Sequence, residues 1–121
     1  MAAELATPAW MIGLRLLWGK PERGELRLDG GLVAFTSEDI GLVFRAPVEE
    51  VRASFPKMYL GVGAKLAVRG KTYRLWFVPL VTVSDPGRGY HTSMAWEYFD
   101  QARARARRWR AALEPPTNGG H

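Results

Sequence analysis

Glu25-Leu26-Arg27-Leu28-Asp29-Gly30-Gly31-Leu32-Val33-Ala34-Phe35-Thr36 decides how the rest of the chain reads. Leu26 and Leu28 alternate with charged neighbours, so they share one face of an extended strand. Asp29-Gly30-Gly31 is a hairpin signal, because its glycines accept positive φ without steric cost. Val33 and Phe35 repeat the alternation on the return strand. A two-residue period on both sides of a tight turn means antiparallel β-structure, and the same pattern extends outward in both directions.

Downstream, Ser37-Glu38-Asp39 is a second turn. Ile40, Leu42, Phe44 and Ala46 then sit two apart, which predicts that all four share one strand face. Pro47 ends that strand, and Val48-Glu49-Glu50 reads as a single helical turn or corner. Val51, Ala53 and Phe55 form a short strand that Pro56 stops. Gly61-Val62-Gly63 reads as a loop. Leu66 and Val68 lie on another strand, Arg69-Gly70-Lys71 turns the chain, and Tyr73, Leu75 and Phe77 make the last clear strand, with Trp76 on its opposite face. Upstream, residues 10–18 read either as a strand, with Ile12, Leu14, Leu16 and Trp18 alternating, or as a short helix; the strand fits better. The total is about seven strands between residues 10 and 78.

Residues 79–92 read as a long connection punctuated by Pro86, Gly87 and Gly89. A helix is expected from about Ser93, an N-cap residue type, to about Leu113, where Pro115-Pro116 forbids continuation. Ala95, Phe99, Ala102, Ala106, Trp109 and Leu113 fall on one helical stripe. Burying that stripe over the end of a barrel gives the helix its reason to dock. Residues 114–121 read as a flexible tail. The expectation is one domain over residues 1–121: mainly β, a partly open seven-stranded barrel or orthogonal sandwich capped by one C-terminal α-helix.

The strand order followed by one amphipathic helix resembles the pleckstrin-homology-like superfold, in particular its bacterial branch and the related GRAM domains. The residues that carry the resemblance are Gly24-Glu25-Leu26-Arg27-Leu28, Gly31-Leu32-Val33-Ala34-Phe35-Thr36, and the stretch from Val43-Phe44-Arg45-Ala46-Pro47 through Val48-Glu49-Glu50-Val51. Lys65-Leu66-Ala67-Val68, Tyr73-Arg74-Leu75-Trp76-Phe77 and Trp109 in the closing helix complete it. The resemblance spans roughly residues 10–113 and implies a binding module for lipid headgroups, peptides or partner proteins. In the phosphoinositide-binding version, basic residues between the first two strands hold the ligand. The corresponding residues here are Lys20, Arg23 and Arg27, interleaved with Glu22 and Glu25.

Composition narrows the chemistry. The 121 residues are 47% hydrophobic, with five Trp and five Phe, enough for a core without metal or disulfide staples. There is no Cys, which removes disulfides, thiolate-bound zinc and thiol nucleophiles. The longest apolar stretch, residues 8–18, contains Arg15 and is about half the roughly 20 residues a membrane span needs. Neither a signal peptide nor a span is expected, so the expected location is the cytoplasm, with peripheral attachment to a membrane surface as a variant.

The net charge of +5 is unevenly placed. Residues 1–100 carry twelve Lys and Arg against eleven Asp and Glu, whereas residues 101–114 carry five Arg against one Glu. Arg103, Arg107 and Arg110 are spaced four and three apart and line one helix face. They are either an anion- or partner-binding stripe or a solvated face whose cations suit the C-terminal half of the helix dipole.

Other candidates are weaker in chemistry. Asp85-Pro86-Gly87-Arg88-Gly89 before a helix could cradle an anion or be a plain connection. Gly61-Val62-Gly63 lacks a dinucleotide fingerprint, but Met58, Tyr59 and Leu60 beside it either expose apolar groups to a partner or fold back onto the barrel. His91 and His121 are the only histidines, and no nucleophile elbow accompanies Ser84, Asp85 or Ser93. No catalytic, metal or cofactor residues are assigned. The expectation is a non-enzymatic binding module acting through a protein partner or an anionic membrane surface. The alternative is an electrostatic nucleic-acid binder using the arginine helix.

Overall fold

The computed structural model describes residues 4–12, 21–87 and 89–113. Among these residues nine strands precede one α-helix: β1 (Leu5–Ile12), β2 (Glu22–Asp29), β3 (Leu32–Ser37), β4 (Gly41–Pro47), β5 (Val51–Ser54), β6 (Gly63–Val68), β7 (Lys71–Trp76), β8 (Leu80–Asp85), β9 (Gly89–Met94) and α1 (Phe99–Leu113). The first seven form one antiparallel sheet in the order β4-β3-β2-β1-β7-β6-β5. Two meanders therefore meet at β1, which pairs with β2 on one side and β7 on the other. The sheet does not close: β4 and β5 are its two ends.

The sheet nevertheless curls hard. Phe44 of β4 stacks on Tyr73 of β7, with ring centroids 4.7 Å apart, although three strands lie between them in the sheet. Inward-facing Leu26, Val33, Phe35, Leu66, Leu75 and Phe77 fill the space enclosed by that curl, all of them buried. Helix α1 lays Ala102, Ala106, Trp109 and Leu113 onto this core, and Trp109 is completely buried. Burying one such large side chain is worth roughly 1.5–3 kcal/mol. The Trp109 indole N–H has to be satisfied inside, and it donates to Thr7 Oγ1 of β1 at 3.0 Å.

Several boundaries differ from the sequence expectation. The first strand, Leu5–Ile12, begins five residues before the expected start at residue 10; residues 13–20, which hold the rest of the expected strand, lie outside the described set, as does the tail at 114–121. Residues 79–92 are not a bare connection. They contain most of the β8–β9 hairpin, paired from Leu80↔Met94 to Asp85↔Gly89 and turned at Gly87, whose φ is 81°. Ala95 N–H donates to Pro79 C=O at 2.9 Å and ties off the base of this hairpin. The helix consequently starts at Phe99, after a 3-10 turn at Trp96–Tyr98, and not at Ser93.

The strand face expected to hold Ile40, Leu42, Phe44 and Ala46 is split in two. Phe35 pairs with Phe44 but Thr36 pairs with Leu42, so Val43 is an extra residue in a β-bulge. A bulge re-aims the side chains on one side of it. Phe44 and Ala46 stay in the core, while Leu42 and Ile40 turn out to solvent.

Candidate ligand-binding groove

β5 is the short end strand of the sheet and hydrogen-bonds to β6 alone among the described strands. Its position follows from the two prolines that bracket it. Pro47 hands the chain to the 3-10 turn Val48–Glu50, and Pro56 hands it to the 3-10 turn Lys57–Tyr59. Neither proline can donate a ladder hydrogen bond, so β5 is kept to four residues. The C-terminal half of α1 runs beside it.

Between them lies an open groove of about 730 Å³. Val48, Val51, Ala53 and Phe55 line it from the strand side, and Ala112 and Leu113 from the helix. Its charged rim is Arg52 and Arg110, with Glu49 at the 3-10 turn. The Arg110 guanidinium lies 5.9 Å from the centre of the Phe55 ring, a cation–π distance. An exposed strand edge over an apolar floor is the geometry that accepts an extended segment by strand addition.

The structure treats the sequence candidates unequally. Arg103, Arg107 and Arg110 do share one helix face, within an arc of roughly 60° beside the buried stripe. Two of the three also hold the fold's own parts: Arg103 Nε donates to Leu60 C=O at 3.4 Å and its guanidinium sits 5.0 Å from the Phe99 ring, while Arg110 lies over Phe55. Arg23 and Arg27 lie on β2 and do not join them. Arg23 pairs with Glu38 at 3.4 Å and Arg27 with Glu25 at 3.0 Å, both on the exposed surface. Lys20 lies outside the described residues. The stretch around Asp85 and Gly89 is the hairpin turn, so it does not lead directly into a helix N-terminus. Among the described residues, no three His, Asp or Glu side chains gather where they could hold a metal ion. No described helix is long and apolar enough to cross a membrane.

The loop at Met58, Tyr59 and Leu60 satisfies both of its alternatives. Tyr59 folds back and stacks on Trp76 at 4.6 Å, whereas Met58 and Leu60 point outward. Gly63 makes the fold-back feasible, since a Cβ there would lie 2.8 Å from Tyr59 Cδ2. The groove itself was the site that sequence reasoning missed. Its only signal was the pair of prolines that isolates a four-residue strand.

Among the described residues, the architecture is one open antiparallel sheet of seven strands, ending at β4 and β5, with one C-terminal helix laid across the core. The β8–β9 hairpin lies between β7 and the helix. Among solved structures, the chain is similar to the PH domain of human oxysterol-binding protein-related protein 11. The identity is 8% and the TM-score 0.45, over 100% of this chain and 94% of that one. No protein-family model matches the sequence. No curated protein matches it either.

Proposed function

We propose that the chain is a non-enzymatic protein-interaction module that takes an extended partner segment along the free edge of β5, beneath the C-terminal half of α1. The observation that carries this reading is the groove of about 730 Å³ between an end strand and a helix. Main-chain hydrogen bonds to β5 supply affinity, and the apolar floor at Val51, Ala53, Phe55 and Leu113 selects side chains. Arg52 and Arg110 at the rim favour a segment with acidic residues.

Nucleic-acid binding through Arg103, Arg107 and Arg110 draws less support, because the guanidinium groups of Arg103 and Arg110 are already placed against Leu60, Phe99 and Phe55. The test is selection from a random displayed-peptide library, followed by amide chemical-shift mapping of a selected peptide. The expected map centres on residues 51–55 and 110–113. Failure to select any peptide, or a map confined to other strands, would sink the reading.

A further inference from the structure

Away from the groove, near the N-terminal end of α1, three large apolar side chains stand in solvent. Met58 is 78% exposed, Trp96 61% and Leu60 47%. They are linked. Trp96 stacks on Phe99 at 4.8 Å, the Arg103 guanidinium lies 5.0 Å from the same Phe99 ring, and Arg103 Nε donates to Leu60 C=O. We propose that this ridge is a shallow insertion surface for a bilayer containing anionic lipid.

Exposure favours a bilayer over an extended peptide. These side chains stand open to solvent, whereas the groove suited to a peptide lies at the other end of the helix. A protruding loop enters a low-dielectric layer cheaply only when its backbone polar groups are already paired. This one is largely self-satisfied: Tyr59, Leu60 and Val62 N–H groups donate to Pro56, Lys57 and Tyr59 carbonyls at 2.9–3.0 Å. Leu60 C=O takes Arg103, and Val62 C=O takes Phe77 N–H.

The loop is also held rigidly from below. Tyr59 stacks on Trp76, and Val62 is completely buried. Leu60 keeps a left-handed backbone, φ 57°, while presenting its side chain outward. A tryptophan beside aliphatic tips and cations is the composition of a membrane–water interface. Lys57, Arg103 and Arg107 border the ridge, but so do Glu97 and Asp100, leaving one positive charge in excess. The apolar tips therefore carry the contact, and anionic lipid adds a modest share.

The test uses the full chain with vesicles of phosphatidylcholine, with and without phosphatidylserine. Cosedimentation is expected with the phosphatidylserine vesicles, and brominated acyl chains should quench a fluorescence component that Trp96→Phe removes. Met58→Glu should weaken partitioning on the order of 10-fold or more, and Trp96→Gln by a comparable factor. Raising salt to physiological strength should weaken it only about 2- to 5-fold. Circular dichroism checks that these surface variants stay folded.

Arg52→Glu, in the peptide groove, should leave vesicle binding unchanged, so failure of the groove reading would not mimic failure here. No binding to phosphatidylserine vesicles at low salt overturns the proposal. Binding that ignores Met58→Glu but vanishes with salt overturns it as well. Dimerisation suppressed by Met58→Glu, without vesicle binding, would assign the ridge to contact between copies of this chain.

Discussion

Trp109 and Thr7 are joined across the whole sequence: the indole Nε1–H of the last helix donates to the hydroxyl of the first strand at 3.0 Å, with both side chains buried. The bond fixes where α1 sits over the open sheet. Thr7→Val keeps the shape of the side chain but leaves a buried N–H without a partner, at a cost of about 1–3 kcal/mol. Trp109→Ala also opens a cavity and should cost about 3–5 kcal/mol. Urea denaturation should show the smaller loss for Thr7→Val. Equal stability of Thr7→Val and the parent chain would mean the bond does not position the helix.

Two glycines that look alike in the sequence should behave differently. A Cβ on Gly24 would lie 2.2 Å from the Thr36 carbonyl oxygen and 2.8 Å from Phe35 Cζ, so the β2–β3 pair must move to admit it. Gly30 has nothing within 4 Å and needs only its positive φ of 59°. Gly24→Ala is therefore expected to destabilise by about 3 kcal/mol or more through overpacking. Gly30→Ala should lose about 1–2 kcal/mol from the left-handed backbone alone. Thermal melts of the two variants check the order.

That contrast shows what a single chain discloses. Alternation marked the strands of the sheet, and the wheel marked Ala102, Ala106, Trp109 and Leu113, because burial follows from period alone. Period could not reveal the bulge at Val43, since an inserted residue leaves the spacing of Leu42 and Phe44 intact while turning them to opposite sides. Val81-Thr82-Val83 is a β-branched run, yet Pro86 and Gly87 drew the reading toward a loop when they form only the tip of a hairpin. The groove was illegible for another reason. Arg110 and Phe55 are distant in sequence and meet only after the sheet has curled.

Leu60 is a non-glycine residue with φ 57°, and its side chain is 47% exposed. It therefore suffers left-handed strain without the reward of burial. Asn tolerates this conformation better. Leu60→Asn is expected to raise stability by about 0.5–1 kcal/mol while reducing the apolar surface of the loop. An increased denaturation midpoint confirms the strain. A decreased midpoint would mean that the leucine side chain packs in solution.

Arg103 and Arg107 of the helix face should separate by what each one touches. Arg103 binds the Leu60 carbonyl and covers Phe99; Arg107, one turn further on, makes neither contact. Arg103→Ala should therefore release the loop above it. Amide exchange at Leu60, Gly61 and Val62 is expected to speed up several-fold, while global stability falls by about 1 kcal/mol or less. Arg107→Ala should change neither quantity measurably. Arg27→Ala removes an exposed ion pair, and Arg23→Ala removes an exposed ion pair together with a guanidinium 5.8 Å from the Trp10 ring; each should cost about 0.2–1 kcal/mol, without reaching the loop. If all four variants left loop exchange unchanged, the 3.4 Å contact between Arg103 and Leu60 would not be what fastens that loop to the helix.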